Sequence, residues 1–301
     1  MNPLPHIAAR LFNTPLLIHR AKLDAILAVL GPRVGWPETE SAAPVPAPRT
    51  PSAARQGDIA VIPIHGTLVR RALGLEAASG LTSYQEIGDQ IGRAVADPAV
   101  AGIVLDIDSP GGEAGGVFEL AERIRAATHD KPVWAVANDQ AFSAAYALAA
   151  ASNEVFVTRT GGVGSIGVIA MHADQSRKDE QDGYRFTAIY AGSHKNDFSP
   201  HAPLSDDARA ALQAEVDRLY GIFTESVAAH RGLTVEAVRK TEARLYFGGD
   251  AVAAGLADRI GTLRDAVAAM RAELDPPIHT NLPQPQEALT MEHHDPDPAA
   301  C

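Results

Sequence analysis

The chain has 301 residues, with 26 Lys and Arg against 37 Asp and Glu, a formal net charge of −11 and 46% hydrophobic residues. That length can bury a full core, and an acidic balance without a basic stripe argues against a nucleic-acid binder that works through phosphate contacts. A lone cysteine, Cys301, excludes internal disulfides and cysteine-held zinc and fits a reducing compartment.

Residues 1–35 read as an N-terminal helical arm. Leu16, Leu23, Ile26, Leu27 and Leu30 recur at helical spacing and give one apolar face, for packing on the chain's own domain or a second subunit, or for docking. Arg10, His19, Arg20, Lys22 and Asp24 interrupt any run long enough to span a bilayer, and no signal-peptide cleavage pattern precedes them. Neither export nor a membrane partner is expected. Residues 36–57, with prolines at 37, 44, 46, 48 and 51, read as an extended linker.

A folded domain is expected over 58–274. Ile59 to Ile64 and Val100 to Ile107 predict buried strands, with a helix over Thr82 to Ala96 between them that Thr82 or Ser83 caps. A helix over Glu119 to Ala127, a strand over Val133 to Ala137 and a small-residue helix over Ala144 to Ala151 follow. Strands are predicted at Glu154 to Val157, Ile166 to Ile169 and Phe186 to Tyr190, with a helix over Asp174 to Asp182. Ser205 should cap a long helix to about His230, and Gly255 should end a short helix in the left-handed conformation. Alternating helices and nearly unbroken apolar strands predict an α/β domain with a mostly parallel sheet buried on both faces. From Pro276 the chain is acidic and rich in proline, so residues 275–301 read as a disordered tail.

Ser143 falls at the turn between a strand and a helix, which suits a nucleophile because free N–H groups and the helix dipole favour negative charge there; an ordinary N-cap serine would suit it as well. Gly111 and Gly112 follow Asp106-Ile-Asp-Ser-Pro, where backbone N–H groups can approach a ligand, and with the N–H of Ala144 they could form an oxyanion hole. Lys195 lies in the polar loop Ala191-Gly-Ser-His-Lys-Asn-Asp and could be the base if burial penalised its charged form by about 4 kcal/mol. Ser165, in Gly164-Ser-Ile-Gly, could hold that amine. His172, His65 or His194, with Asp174 or Asp197, offer a histidine base instead. No helical His-x-x-x-His pair, phosphate loop or dinucleotide fingerprint is present, so no metal or cofactor is expected.

Together these stretches resemble the signal-peptide-peptidase-like family of serine/lysine peptidases, which shares the ClpP/crotonase fold. The resemblance runs from about Asp58 to Gly261 and rests on Asp106-Ile-Asp-Ser-Pro-Gly-Gly112, Ala141-Phe-Ser-Ala-Ala-Tyr146, Gly164-Ser-Ile-Gly-Val168, the lysine loop, and Phe247-Gly-Gly-Asp-Ala251 with Gly255-Leu-Ala-Asp258. It implies Ser143 as nucleophile, Lys195 as general base, Ser165 as the residue orienting the lysine, and Gly111, Gly112 and Ala144 around the oxyanion. His172 is the alternative base.

Within the family the chain looks closer to the phage capsid assembly proteases of head maturation than to the membrane-bound signal peptide peptidases. Ala144 and Ala145 stand where the membrane branch usually has two glycines. The branch implies a serine endopeptidase that cuts phage scaffold, portal and coat proteins inside an assembling prohead in the host cytoplasm, and that forms a homo-oligomer. It also implies that the tail is the start or remnant of a scaffold segment. A host cytosolic or membrane-associated peptidase of the same kind, a non-catalytic crotonase-fold assembly protein and an acyl-CoA enzyme of that fold are the other readings.

Overall fold

The computed structural model describes residues 11–30, 53–71 and 81–275. Most of the expected linker and all but the first residue of the expected tail lie outside them. The main sheet has a parallel centre. Strands β3 (Ile59–His65), β6 (Gly102–Ser109) and β8 (Val133–Phe142) lie side by side in register, and β2 (Ala54–Gln56) pairs antiparallel to the outer edge of β3. Strand β8 changes partner along its length. Its first half, Trp134 to Ala137, pairs with β9 (Glu154–Val157), and its last residues, Gln140 to Phe142, pair with β10 (Gly162–Gly164). Antiparallel β11 (Leu245–Phe247) closes the far edge on β10, while β12 (Arg259–Ile260) extends β9.

The unbroken apolar runs follow from burial on both sides. Ile62, Ile64, Leu105, Ile107, Ala135 and Ala137 pack toward three helices, Tyr84–Ala96, Val117–Ala127 and Ala144–Ala150. The alternate residues Val61, Val104, Trp134 and Val136 pack on the helix Leu263–Leu274 through Ala266, Val267 and Met270. A strand with period-2 side chains needs cover on both faces to be apolar throughout, and these helices supply it. The expected mostly parallel sheet with flanking helices is therefore present. Ser83 caps Tyr84–Ala96 through the N–H of Gln85, Ser205 caps Asp206–Arg231 through that of Ala208, and Gly255, with φ of 71°, follows the helix Gly248–Ala253 as expected.

Four features depart from the sequence-based expectations. Leu16 is not helical: β1 (Leu16–Ile18) is a strand, and the helix begins at Arg20. An available strand edge at β7 (Gly111–Glu113) outweighs the helical spacing. Ile166 to Ile169 forms only an isolated bridge from Ile169 to Leu16, the regular strand lying earlier, at Gly162–Gly164. Phe186 to Tyr190 has no strand neighbour, and Ile189 is 97% exposed. The helix Leu263–Leu274 was missed, although its Thr262–Asp265 capping box is legible in the chain.

A second, four-stranded sheet stands beside the first, in the order β1, β7, β4 (Thr67–Val69) and β5 (Leu81–Ser83). Strand β7 is thus paired on both edges, antiparallel to β1 and parallel to β4. Among the described residues no helix is long and apolar enough to cross a membrane.

Candidate active site

Ser143 is the first residue after β8 and the N-cap of the helix Ala144–Ala150. Its backbone has φ 56° and ψ −118°, a region that residues other than glycine rarely occupy. Its N–H donates to the carbonyl of Gly164 at 2.8 Å, so the two neighbouring strands β8 and β10 hold the strained turn. The side chain makes no cap bond to its own helix. Instead its hydroxyl faces the carbonyl of Gly167 at 3.5 Å, and the residue is almost wholly buried. An N-cap serine has extended backbone and caps with its side chain; this one does neither, which separates it from that ordinary role.

The glycine turn comes up against Ser143 from β6. A methyl group on Gly111, whose φ is 94°, would fall 2.9 Å from the carbonyl oxygen of Phe142 and 3.0 Å from the nitrogen of Ala144. One on Gly112 would fall 1.8 Å from the carbonyl oxygen of Leu68. Both glycines are thus required by close approach, not by flexibility. The N–H of Gly111 donates to the hydroxyl of Ser109 at 3.1 Å, and that hydroxyl donates to the carbonyl of Gly66 at 2.7 Å. Gly111 is therefore engaged within the turn, while Gly112 stands between Leu17 of β1 and Leu68 of β4. Ser109 was missed as a site residue. Its signal was its place directly before Pro110-Gly-Gly.

Ser165 also has positive φ, at 54°, and its N–H donates to the carbonyl of Arg244 at 2.9 Å. It lines a cavity of about 310 Å³ together with Gly167 and with Ile18 and His19 of the arm. Around it Phe142 meets the ring of Phe247 edge-on, with centroids 6.2 Å apart, and that of His19 at 5.3 Å.

Among the described residues, none of the other candidates is hydrogen-bonded to Ser143. Lys195 is exposed, in a turn-rich segment where its N–H donates to the carbonyl of Gly192. His172 shares a 3.0 Å hydrogen bond between its Nδ1 and Asn13, while its Nε2 is buried without a partner. His194 pairs with Asp197 at 2.9 Å on the loop surface. His65 lies at the end of β3, 3.3 Å from Asp106, whose hydrogen bond lifts its pKa above the usual value despite partial burial. Asn138 holds the other oxygen of Asp106 at 3.2 Å. Among the described residues no histidine is hydrogen-bonded to Ser143, so the fold brings together the serine, the glycine turn and Ser165 but leaves the base unassigned.

The model for peptidase family S49 matches residues 125–275. A capsid assembly protease C of Escherichia phage lambda is 38% identical over 90% of this chain and 66% of its own length. A head-tail preconnector protein of Enterobacteria phage P21 is 37% identical over 90% of this chain and 58% of its own. A chloroplastic serine protease SPPA of Arabidopsis thaliana is 24% identical over 73% of this chain and 33% of its own. The chain thus spans less than two thirds of the length of each of these relatives.

Proposed function

The chain belongs to peptidase family S49, and on that premise we propose that it is a serine endopeptidase that cuts head proteins of an assembling phage. The observation that carries the reading is the backbone of Ser143: a buried serine held at positive φ between β8 and a helix, with the Gly111–Gly112 turn packed against the next residue. In this reading the Ser143 hydroxyl attacks the peptide carbonyl, and the N–H groups of Gly112 and Ala144 stabilise the oxyanion. Each such donor contributes about 3 to 4 kcal/mol to the transition state. The departing amine leaves an acyl-serine, which water hydrolyses.

Lys195 is proposed as the base, with Ser165 orienting its amine. The support is its place in the loop after Tyr190, which matches the family pattern. His172 is the second candidate, because its buried Nε2 has no partner. A lysine amine is unprotonated near neutral pH, and so free to accept a proton, when desolvation lowers its pKa, so the exposed loop would have to be covered in the working enzyme.

A homo-oligomer would supply such cover. Tyr184, Phe186, Ile189 and Tyr190 are all more than half exposed, and Leu212, Val216 and Leu219 on the long helix are only half-buried. Exposed apolar side chains grouped as at 184–190 fit a protein interface. Scaffold, portal and coat proteins are the proposed substrates, met in the cytoplasm of an infected cell inside the immature head. The test is intact-mass analysis after co-expression with such proteins. Defined fragments are expected with the wild type and none with Ser143→Ala or Lys195→Ala. Fragments retained in Lys195→Ala and lost in His172→Ala would move the base to the histidine, and fragments retained in Ser143→Ala would end the serine reading.

A further inference from the structure

A peptide cut at Ser143 must place its carbonyl beside Gly112 and Ala144, and an extended peptide does so by pairing with the edge of β7. That edge is taken. Strand β1 pairs antiparallel to it, with Leu17 opposite Gly112 and Ile18 opposite Gly111, while β4 holds the other edge. The far side of β1 is closed as well. Leu16 and Ile169 exchange two backbone hydrogen bonds, at 2.8 and 3.0 Å, two residues beyond the Gly167 carbonyl that the Ser143 hydroxyl faces. The arm therefore fills the slot between the glycine turn and the segment after Ser165.

Its backbone lies where a substrate backbone would. A methyl group on Gly111 would fall 2.2 Å from the carbonyl oxygen of Leu17 and 3.0 Å from the nitrogen of Ala144, so that carbonyl and the helix N–H flank one point. Further along, the N–H of Asn13 donates to the carbonyl of Met171, and its side-chain amide donates to that of Phe198, in the loop that carries Lys195. Most of the arm's side-chain anchoring is separate from the main core. Leu16 and Ile18 pack with Leu23 and Leu27 in a small cluster of their own, and only Leu17 reaches the main core. The arm could leave without opening the central sheet.

We propose that residues 13–18 are an internal, substrate-like occupant of the peptide cleft, which must be displaced before another chain can be cut. The inference rests on the serine endopeptidase reading. It is tested with the full chain carrying Leu16→Cys and Ile169→Cys, with Cys301→Ser to remove the other thiol. The Leu16–Ile169 bridge is hydrogen-bonded in both directions, a pairing whose Cα atoms lie about 5.5 Å apart, within disulfide reach.

Two probes are used on the oxidised and reduced forms of this one protein. A small alkyl fluorophosphonate reads the reactivity of the serine, and unfolded casein reads access of a peptide. Reduction is expected to speed casein cleavage at least tenfold, with Ser143 labelled by the fluorophosphonate in the reduced protein. A reduced protein that cuts casein no faster than the oxidised one overturns the inference while leaving the labelled serine intact. Absence of Ser143-dependent labelling in both forms overturns the peptidase reading itself, and the inference with it.

Discussion

The hydroxyl of Tyr146 donates to the carbonyl of Leu256 at 2.9 Å, joining the helix that follows Ser143 to a segment 110 residues later. Two residues on, Asp258 accepts the N–H of Val155 at 2.7 Å and both arms of the Arg231 guanidinium at 2.8 and 2.7 Å. Gly255 accepts from Arg231 as well. The stretch Gly255 to Asp258 thus braces the back of the helix that follows Ser143. Burial raises the pKa of Tyr146 far above the usual phenol range, so it remains a neutral donor throughout.

Asp258→Asn should therefore reduce stability and not chemistry. Burial alone would raise its carboxyl, but the hydrogen bonds from Arg231 and Val155 outweigh it and hold the pKa below the usual value. A depressed carboxylate contributes stability above its unfolded pKa, about 3.9, and loses it as pH falls through the folded value. The substitution should cost about 2 kcal/mol at pH 7, a figure already reduced for a side chain 36% exposed. Urea unfolding should show that gap narrowing below about pH 4. A pH-independent gap would mean that packing, not charge, is what Asp258 supplies.

The backbone of Ser143 predicts an unequal pair of inactive variants. Ser143→Ala keeps the strain at φ 56°, whereas Ser143→Gly removes it. The glycine variant should be more stable than the alanine variant by about 1 kcal/mol, even though glycine normally costs unfolded-state entropy. Thermal unfolding of the two side by side measures this, and an alanine variant at least as stable would show the turn to be unstrained.

Gly112→Ala tests close approach directly. Its new methyl group would meet a backbone oxygen at 1.8 Å, which no side-chain rotation relieves. A loss of about 3 kcal/mol is expected from displaced backbone in a packed region, with Ser143-dependent cleavage lost together with the register of β7. Wild-type stability in this variant would place Gly112 farther from Leu68 than the fold shows.

Ile189→Asp should change assembly and leave the monomer's fold alone, because the side chain is 97% exposed and has no intramolecular packing to lose. Sedimentation should show a shift toward monomer with an unchanged unfolding midpoint. An unchanged oligomer, or a monomeric wild type, would remove this surface from the interface.

The central domain was legible in the chain because its signals are local. Runs such as Ile103 to Ile107 and the caps at Ser83 and Ser205 specify their elements without distant help. The glycine turn and Ser143 were legible for the same reason, each lying where a strand visibly ends. Apart from the helix Leu263–Leu274, whose capping box is local, what escaped was decided by partners far along the chain. Leu16 to Ile18 becomes a strand only because β7 offers an edge, and Phe186 to Tyr190 fails to become one because no described strand edge pairs with it. Ser109 escaped because its work is done by a side-chain hydroxyl on Gly66 and Gly111, a contact that periodicity does not encode.

Strand β1 also sets an order of events during synthesis. It leaves the ribosome early, yet its partners Gly111 and Ile169 are made much later, so its contacts are among the most non-local in the fold. Closing so long a loop costs entropy that only a finished β7 repays, and such contacts form late and loosen early. The nascent chain should therefore pass through a stage with the central sheet built and the arm still free. At that stage the edge of β7 beside Ser143 would be open to any chain within reach.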